Sequence, residues 1–542
     1  MANGQQKGRE EARVDAPVNV SAVLLDIEHA VVEDDPRTWS STRKSLVLAT
    51  VTGASVLNGL GANIYTPAIP QIEQQLHASS GAISLSLALF IFLQGCVPLV
   101  WTTLSEFWGR KRVYLLSTAL CFVGCVVCAL AKSIGILIGM RCVQAIGLSP
   151  VLSLGAATLA DMYEPRERGT MMGIYYSGPL LGPALGPILG GVLTQAFSWR
   201  ATFWFLAIFV GACFLLFVPF RDTFRRERSL VYQSALRRRL RAQQSSEASS
   251  VSQETAVSPA VPSGGQQEKR EAEERDERRE DGGEGRREGD VEKQQEVQID
   301  ADAVAGPLKE VKLSLSDVNP VKPIVHVLRR LNNVAMFLAS ALVFSCTYSI
   351  TYTCSRTLSS QYGYDALKIG LTLLAFGVGS LLGSVLGGRY SDYVYRKVKA
   401  LNGGVIQAET RLESTAVPML LLPPSVIAYG WVCERHVSVA AICVMLFLIG
   451  FFSISFYSCT LAYIVDANAG RSSSALAANS TIRGACALVA SEVAVPLQSA
   501  LGDGGLYSLW GGLVILSGLL TLLVWWKGGA WRQRWESREG GS

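Results

Sequence analysis

Long apolar runs separated by short polar segments make up most of this chain. Each run is about 20 residues long, the length that an α-helix needs to cross the hydrocarbon core of a bilayer. Six runs come before a long hydrophilic segment and six come after it. They cover approximately residues 45–66, 82–104, 113–131, 134–160, 170–194, 200–220, 335–357, 367–390, 416–432, 438–463, 473–500 and 506–526. The pattern predicts an all-α polytopic membrane protein with twelve transmembrane helices.

Equal numbers of runs on either side of the hydrophilic segment are typical of a transporter built from a duplicated unit. We expect two pseudo-symmetric six-helix bundles, at residues 43–224 and 321–527. Pro418, Pro423 and Pro424 interrupt the helical periodicity of the ninth run.

Basic residues predict how the helices cross the membrane, because loops rich in Lys and Arg stay on the cytoplasmic side. Alternate loops carry them, and the loops between are nearly free of them apart from Lys132, Arg200 and Arg435. Both termini and the central segment are therefore expected in the cytoplasm. The basic groups lie at Arg43–Lys44, Arg110–Arg112, Arg166, Arg168, the central segment, Arg389–Lys399, Arg471 and Lys527–Arg534.

Three hydrophilic segments fall outside the bundles. Residues 1–42 are predicted to be a disordered tail, residues 528–542 a cytoplasmic tail, and residues 225–320 a disordered loop with too few apolar residues for a core. Two interpretations of the loop stay open. It is a flexible tether, or its basic patch, Arg225 to Arg241, contacts anionic lipid at about 1 kcal/mol per basic residue.

Composition agrees with a lipid environment and excludes several kinds of protein. The chain is 49% hydrophobic and 17% charged, whereas soluble domains are about a quarter charged. The net charge is +5. Because the basic residues cluster beside the ends of the apolar runs, they indicate membrane topology and not a nucleic-acid partner. The 12 Cys lack metal-site spacing, and neither a nucleotide-binding loop nor a nucleophile–base set stands out. We expect no metal, no cofactor and no enzymatic activity.

Charged motifs occur at corresponding places in the two halves. Residues 102–112 read Thr-Thr-Leu-Ser-Glu-Phe-Trp-Gly-Arg-Lys-Arg, and residues 388–392 read Gly-Arg-Tyr-Ser-Asp. In the first, Glu106 can meet a helix N-terminus and Arg110 can pair with an acid on a neighbouring helix. Asp161, at the end of the fourth run, is well placed to pair with Arg110 as a gate, although it is also compatible with a plain interfacial charge.

The fourth and fifth runs carry residues unusual for a membrane helix. Arg141 lies about seven residues inside the fourth run, where a charge costs several kcal/mol unless it faces protein or water, or snorkels to the interface. The fifth run offers a smooth face on which another backbone can approach closely, and a proline that frees a backbone carbonyl. These residues are Gly182, Gly186, Pro187, Gly190 and Gly191.

Together these motifs resemble those of the major facilitator superfamily. The 102–112 stretch is similar to its loop motif, with Thr102 and Glu106 in place of Gly and Asp, and the Arg141–Gly147 stretch is similar to its Arg-x-x-Gln-Gly pattern. The Gly-Pro-x-x-Gly-Gly string resembles the motif of its antiporters. Leu60–Pro70 resembles an element of its twelve-span drug:proton antiporters. Two further stretches, 409–412 and 463–466, resemble elements of the fungal quinidine-resistance-type exporters of drugs and dityrosine.

The resemblance implies a function. It implies export of small amphipathic organic molecules in exchange for protons by alternating access, with Arg141 assisting proton coupling. It also implies a monomer in the plasma membrane, with an internal membrane as the alternative. A proton-coupled uptake symporter and a non-transporting receptor or scaffold remain rival functions.

A proton-driven transporter needs a titratable group at membrane depth. The first run has no acid, and Glu492 in the eleventh is the best candidate because burial favours its neutral form. A kink near Pro496 would instead hydrate it. Arg483, nine residues earlier, faces nearly the opposite way, so the two cannot pair directly and each needs another partner.

The substrate cavity is expected between the halves at mid-membrane. Aromatic faces with a few hydrogen-bonding groups suit amphipathic or cationic molecules, although aromatics in membrane helices also serve packing. Arg356 either recognises an anionic substrate or marks the outer end of the seventh run. The predicted lining is Asn58, Asn63, Tyr65, Gln94, Tyr176, Tyr348, Tyr352 and Phe456.

We predict that tags on the N-terminal tail, in the central segment and on the C-terminal tail are all accessible from the cytoplasm. Two bundles with an even number of spans each place all three on one side. The measurement is labelling by a membrane-impermeant reagent before and after permeabilisation, with a tag beside Arg435 as the opposite-side control. A tail and a central segment on opposite sides would contradict the topology.

Overall fold

The computed structural model describes residues 32, 34–225, 321–401, 407–468 and 471–540, and every structural statement below concerns these residues. Residues 1–31 and 226–320, which hold most of the predicted disordered tail and loop, lie outside them.

The first half is built from eight helices that form six spans. The helix of the fifth run, α7 (Pro165–Ala196), is unbroken despite three internal prolines. Helices α3 (Ser80–Cys96) and α4 (Pro98–Trp108) meet at an angle of 41° and form one bent span, because Pro98 at the start of α4 has no N–H for the helical ladder. The helices are α1 (Ser41–Asn63), α2 (Ile69–Gln75), α3 (Ser80–Cys96), α4 (Pro98–Trp108), α5 (Arg110–Ala129), α6 (Ile134–Met162), α7 (Pro165–Ala196) and α8 (Trp199–Phe217).

The second half repeats this plan with fewer breaks. A short 3-10 helix, Ala408–Thr415, precedes α12 (Ala416–Glu434). Helix α14 (Ser472–Gly540) contains the last two predicted spans, which are separated at Gly502 alone, where φ is 71° and ψ is 178°. The carboxylate of Glu434 accepts the backbone N–H of Asp503 at 2.8 Å and so caps the second arm of α14. The helices are α9 (Val321–Leu328), α10 (Leu331–Tyr362), α11 (Ala366–Leu401), α12 (Ala416–Glu434), α13 (Val439–Ala467) and α14 (Ser472–Gly540).

Twelve spans are present in the described chain, as the apolar runs predict. Nine helices are long and apolar enough by themselves to cross a membrane, or ten with α3 and α4 as one span. Gly502 divides α14 into two spans. Helix α7 supplies the remaining one, since it has 32 residues but is diluted in apolar character by Gly, Pro and polar side chains.

Two helices continue beyond the ends of the apolar runs that predict them. The predicted start of the C-terminal tail at 528 falls inside α14, which stays helical to Gly540. Arg532 in this extension pairs with Glu409 of the 3-10 helix, with Nη2 and Oε2 3.3 Å apart. The helix of the eighth span also continues beyond the end of its apolar run at 390, to Leu401. Polar extensions of a helix beyond the membrane carry no apolar signal, so the runs end too early.

The glycines of the fifth span bring α7 against α1 at backbone contact. A Cβ atom at Gly182 would overlap the backbone of Gly59, and one at Gly190 would overlap the carbonyl of Ile64. At Gly186 a Cβ would lie 2.9 Å from the Cβ of Asn63. The predicted smooth face therefore exists, and α1 occupies it.

The same helix also forms part of the interface between the two bundles. A Cβ at Gly191 would lie 2.6 Å from the carbonyl oxygen of Ala366 on α11, and one at Gly370 would overlap the carbonyl of Pro187. A second crossing joins α3 to the first arm of α14, where a Cβ at Gly95 would lie 2.6 Å from the carbonyl oxygen of Ser480. The bundles thus meet along two seams of small residues.

We predict that Gly182→Ala destabilises the protein, since a methyl group there must push α1 away, and overpacking of this kind costs about 1–3 kcal/mol. The measurement is the thermal unfolding midpoint in detergent. The matched control is Gly173→Ala on the same helix, where nothing lies within 4 Å of the added carbon. Equal midpoints for the two variants would contradict the close approach.

Candidate functional site

Arg141 on α6 is fully buried within the first bundle. Its Nη1 donates to the carbonyl oxygen of Gly61 at 2.8 Å and to Oε1 of Gln144 at 3.0 Å. The guanidinium carbon lies 4.7 Å from the ring centroid of Tyr65 and 4.1 Å from that of Phe90. The side chain is therefore held in protein and does not snorkel to the interface.

Part of the hydrogen-bonding capacity of this cation is unused. Nε and Nη2 of Arg141 are buried and find no acceptor among the described residues, and the hydroxyl of Tyr65 is also unpartnered there. No acidic side chain of the described chain forms an ion pair with Arg141. Aromatic ring faces supply the negative potential that a carboxylate would otherwise provide.

Arg483, on the first arm of α14, is the second cation at membrane depth. Its guanidinium carbon lies 3.9 Å from the ring centroid of Phe344 on α10 and 4.1 Å from that of Tyr457 on α13. The side chain is partly exposed, and its Nε is buried without an acceptor in the described chain. Tyr348, one turn from Phe344, packs against that ring, with the ring centroids 4.6 Å apart.

Glu492 lies on the same arm but contacts the opposite bundle. Its Oε1 accepts a hydrogen bond from the hydroxyl of Ser84 on α3 at 3.1 Å. Arg483 is nine residues away, which is about 13–14 Å along the helix axis. The two groups therefore have separate partners, Glu492 in the other bundle and Arg483 among aromatic rings of its own bundle.

Arg110 anchors one end of the first bundle. Its Nε lies 3.4 Å from Oδ2 of Asp161, and its guanidinium also donates to the hydroxyl of Ser105. The backbone N–H of Arg110, the first residue of α5, donates to Oδ1 of Asp222 at 3.0 Å. The predicted Arg110–Asp161 contact is thus present, although whether it gates transport stays a prediction.

Asp222 takes the position that we expected Glu106 to occupy. It caps the N-terminus of α5, and a side chain at Gly109, where φ is 84°, would collide with it. Oε2 of Glu106 is buried with no hydrogen-bond partner in the described ranges. The sequence signal for Asp222 is an acid that directly follows the sixth apolar run, at the same end of the bundle as the loop motif.

The second bundle has a corresponding arginine. Nη1 of Arg411 lies 3.0 Å from Oδ1 of Asp392, and its Nε lies 2.6 Å from Oδ2 of Asp466. The guanidinium also stacks 4.4 Å from the ring centroid of Tyr395. Asp392 belongs to the 388–392 motif, and Arg411 joins it to Asp466 of α13, a connection that no local sequence pattern predicts. We call the end that holds Arg110 and Arg411 the basic end, and the opposite one the far end.

Contacts between the bundles gather toward the far end. The hydroxyl of Ser355 donates to the carbonyl oxygen of Thr66 at 3.0 Å, and the hydroxyl of Tyr352 donates to the carbonyl oxygen of Ser80 at 2.9 Å. Arg356 lies 4.0 Å from Glu73, so it pairs with an acid of the first half. The Arg110 and Arg411 ion pairs at the basic end each stay within one bundle.

The predicted cavity residues separate into two groups. Asn58, Gln94, Tyr176 and Tyr348 keep exposed surface, and Nε2 of Gln94 donates to Oδ1 of Asn58 at 2.7 Å. The other four are buried among packed helices and present no open surface in this conformation. These are Asn63, Tyr65, Tyr352 and Phe456.

Each buried residue has a packing or hydrogen-bonding partner that explains its place. Tyr65 lies against Arg141, Asn63 donates to the carbonyl oxygen of Gly59 at 2.8 Å, and Tyr352 bonds across to Ser80. Phe456 belongs to the apolar core of the second bundle. An aromatic residue in a helix that is apolar on all sides carries no sequence signal for the direction it faces.

Comparison with known proteins identifies the architecture. The family model of the Major Facilitator Superfamily matches residues 51–491. The chain belongs to this superfamily. It is accordingly a transporter, and its substrates are small molecules that cross the membrane rather than reactants of an enzyme.

Relatives of this superfamily member cover nearly all of it. The MFS antiporter QDR3 of Candida albicans is 26% identical over 93% of this chain and 80% of its own length. The multidrug transporter DTR1 of Candida glabrata is 28% identical over 90% of this chain and 84% of its own length. The xylose transporter XylE from E. coli, in a partially occluded inward-open conformation, has a TM-score of 0.56 at 13% identity. The match covers 90% of this chain and 98% of XylE, and the two proteins share the fold.

We predict that Asp222→Ala lowers the stability of the transporter by about 1 kcal/mol, the usual cost of losing an acceptor at a helix N-terminus. Asp222→Asn keeps an acceptor oxygen and should lose less than half of that. Thermal unfolding of the purified variants gives the comparison. Equal losses for Ala and Asn would mean that charge, and not capping, is what Asp222 contributes.

Proposed function

We propose that this transporter exports small amphipathic organic molecules from the cytoplasm in exchange for protons, by alternating access. Two relatives with nearly full coverage are named a multidrug transporter and an MFS antiporter, which supports efflux and exchange. We propose that it lies in the plasma membrane and works as a single chain. The proton is its coupling ion, and it uses no cofactor.

The observation that carries the proposal is the hydrogen bond between Glu492 and Ser84. It places a titratable group on the seam between α14 and α3, which belong to different bundles. Ionised, the carboxylate can only accept a hydrogen bond; protonated, it can also donate and no longer carries charge. Loading a proton therefore changes the interaction across a surface that alternating access must rearrange.

The contacts between the bundles locate the step that opens the far end. Ser355, Tyr352 and Arg356 join the bundles at the far end, whereas the ion pairs of Arg110 and Arg411 are internal to their bundles. Opening toward the far end requires those three bridges to break. With the basic end in the cytoplasm, as the Lys/Arg distribution predicts, breaking these bridges opens the transporter to the outside, where an exported substrate is released.

Proton entry provides enough energy for concentrative export. A proton that moves down about 100 mV and one pH unit releases about 2.3 kcal/mol and about 1.4 kcal/mol respectively. Exchange of one proton for one neutral molecule then supports a gradient of about a few hundred-fold. Arg141, held on Gly61 of α1, is the proposed link between proton loading and the packing of the first bundle.

We predict that Glu492→Gln abolishes transport driven by a pH gradient, because the amide cannot take up a proton. The test uses protein reconstituted in liposomes, with a screen of organic cations, neutral drugs and weak acids, and a loss of at least about tenfold is expected. Glu413→Gln, a change at an exposed acid, is the matched control. Undiminished pH-driven flux in Glu492→Gln would remove this residue from the coupling mechanism.

The direction of flux is tested in the same liposomes. Export in exchange for protons predicts that substrate moves in the direction opposite to the protons. Movement in the same direction as the protons would indicate an uptake symporter. Flux by protein that lacks its terminal tails would exclude a receptor or scaffold that acts through them.

A further inference from the structure

We propose that Arg483 is a carboxylate-binding site, so that the molecules carried by this transporter include organic monoanions with an aromatic body. The anion's passage through the membrane rests on the proposed transport function, whereas its binding at Arg483 does not.

Within the described ranges, aromatic rings hold the guanidinium of Arg483 and no polar or charged side chain pairs with it. Phe344 and Tyr457 contact it through their ring faces, at 3.9 Å and 4.1 Å from its central carbon. No hydrogen bond or ion pair links it to another residue of the described chain, and its buried Nε has no acceptor there. Rings that stack on the planar group fix its orientation and leave the N–H groups on its rim available.

Other arginines of the two bundles show what Arg483 lacks. Arg110 pairs with Asp161 and Arg411 pairs with Asp392 and Asp466. Even Arg141, which pairs with no acid of the described residues, donates to a carbonyl and an amide oxygen. An unpaired cation at membrane depth is costly, and such groups face a partner or a solvent-filled path.

Glu492 is the acid that lies closest in sequence, and it does not fill this role. It is about 13–14 Å away along the shared helix and accepts from Ser84 in the other bundle. The free rim of Arg483 therefore fits an anion that comes from outside the chain. A planar guanidinium matches a carboxylate through two parallel hydrogen bonds, which a point charge such as an ammonium group does not do.

The surroundings indicate the rest of the ligand. Tyr348 packs edge to face against Phe344, one of the two rings that contact Arg483, with the ring centroids 4.6 Å apart. An aromatic carboxylate bound to Arg483 would have the rings of Phe344, Tyr348 and Tyr457 beside its own. A single arginine favours a monoanion over a phosphate ester with two charges.

The test is equilibrium binding of radiolabelled benzoate to the full-length protein in nanodiscs. Benzamide, benzamidine and phenyl phosphate serve as competitors, because they keep the ring and change only the charged group. We expect unlabelled benzoate to compete at concentrations at least about tenfold lower than any of the three. Equal or better competition by benzamidine would overturn the proposal, and better competition by phenyl phosphate would assign a phosphate site in its place.

Variants locate the site. Arg483→Gln should weaken benzoate binding by about tenfold or more, and Arg483→Lys should recover only part of it, because lysine has the charge without the planar group. The control is Arg435→Gln, at an exposed arginine of the far end. Monodisperse elution and an unchanged unfolding midpoint show that each variant is folded. Should Arg483→Gln fail to fold, Arg483→Lys and the competitor series still decide the outcome.

Failure of this proposal differs from failure of the proposed function. Benzoate binding that depends on Arg483, without proton-driven flux in liposomes, leaves the site intact and removes proton-coupled export. Proton-driven flux together with benzoate binding that is indifferent to Arg483→Gln removes the site and leaves export intact.

Discussion

The rest of the molecule depends on the approach of α7 to two neighbours at backbone contact. Lipid tails are as apolar as leucine, so membrane helices gain little from burying apolar side chains against one another, and close van der Waals packing holds them instead. Gly182 and Gly190 supply this contact to α1, and Gly191 supplies it to α11. One helix therefore serves both the packing of its own bundle and the interface between bundles.

Strong and weak polar contacts are distributed differently over this frame. The ion pairs of Arg110 and Arg411 lie inside single bundles, whereas two of the far-end bridges, from Ser355 and Tyr352, are neutral hydrogen bonds to carbonyl oxygens. Neutral bonds exchange with water at a small net cost of about 1 kcal/mol each. The bundles can therefore stay intact while the interface between them opens.

The sequence predicts the helix count and the glycine face of α7 well, because each depends on length and on spacing within a single helix. It predicts the site less well. The contact between Arg110 and Asp222 joins residues 112 positions apart, and no local pattern reports it. Phe456 falls in a helix without a polar face and Tyr65 in the turn after α1, so their burial depends on packing of the whole bundle, which no local pattern reports.

Gly502 has a mechanical consequence for the second bundle. The two arms of α14 meet at this one residue without a loop, and its φ of 71° and ψ of 178° lie in a region that is essentially restricted to glycine. The first arm carries Arg483 and Glu492 and contacts α3. The second arm belongs to the core of its own bundle. Because the arms join at a single residue, the torsion angles of Gly502 alone set the direction in which the arm with Arg483 and Glu492 leaves the core of the second bundle.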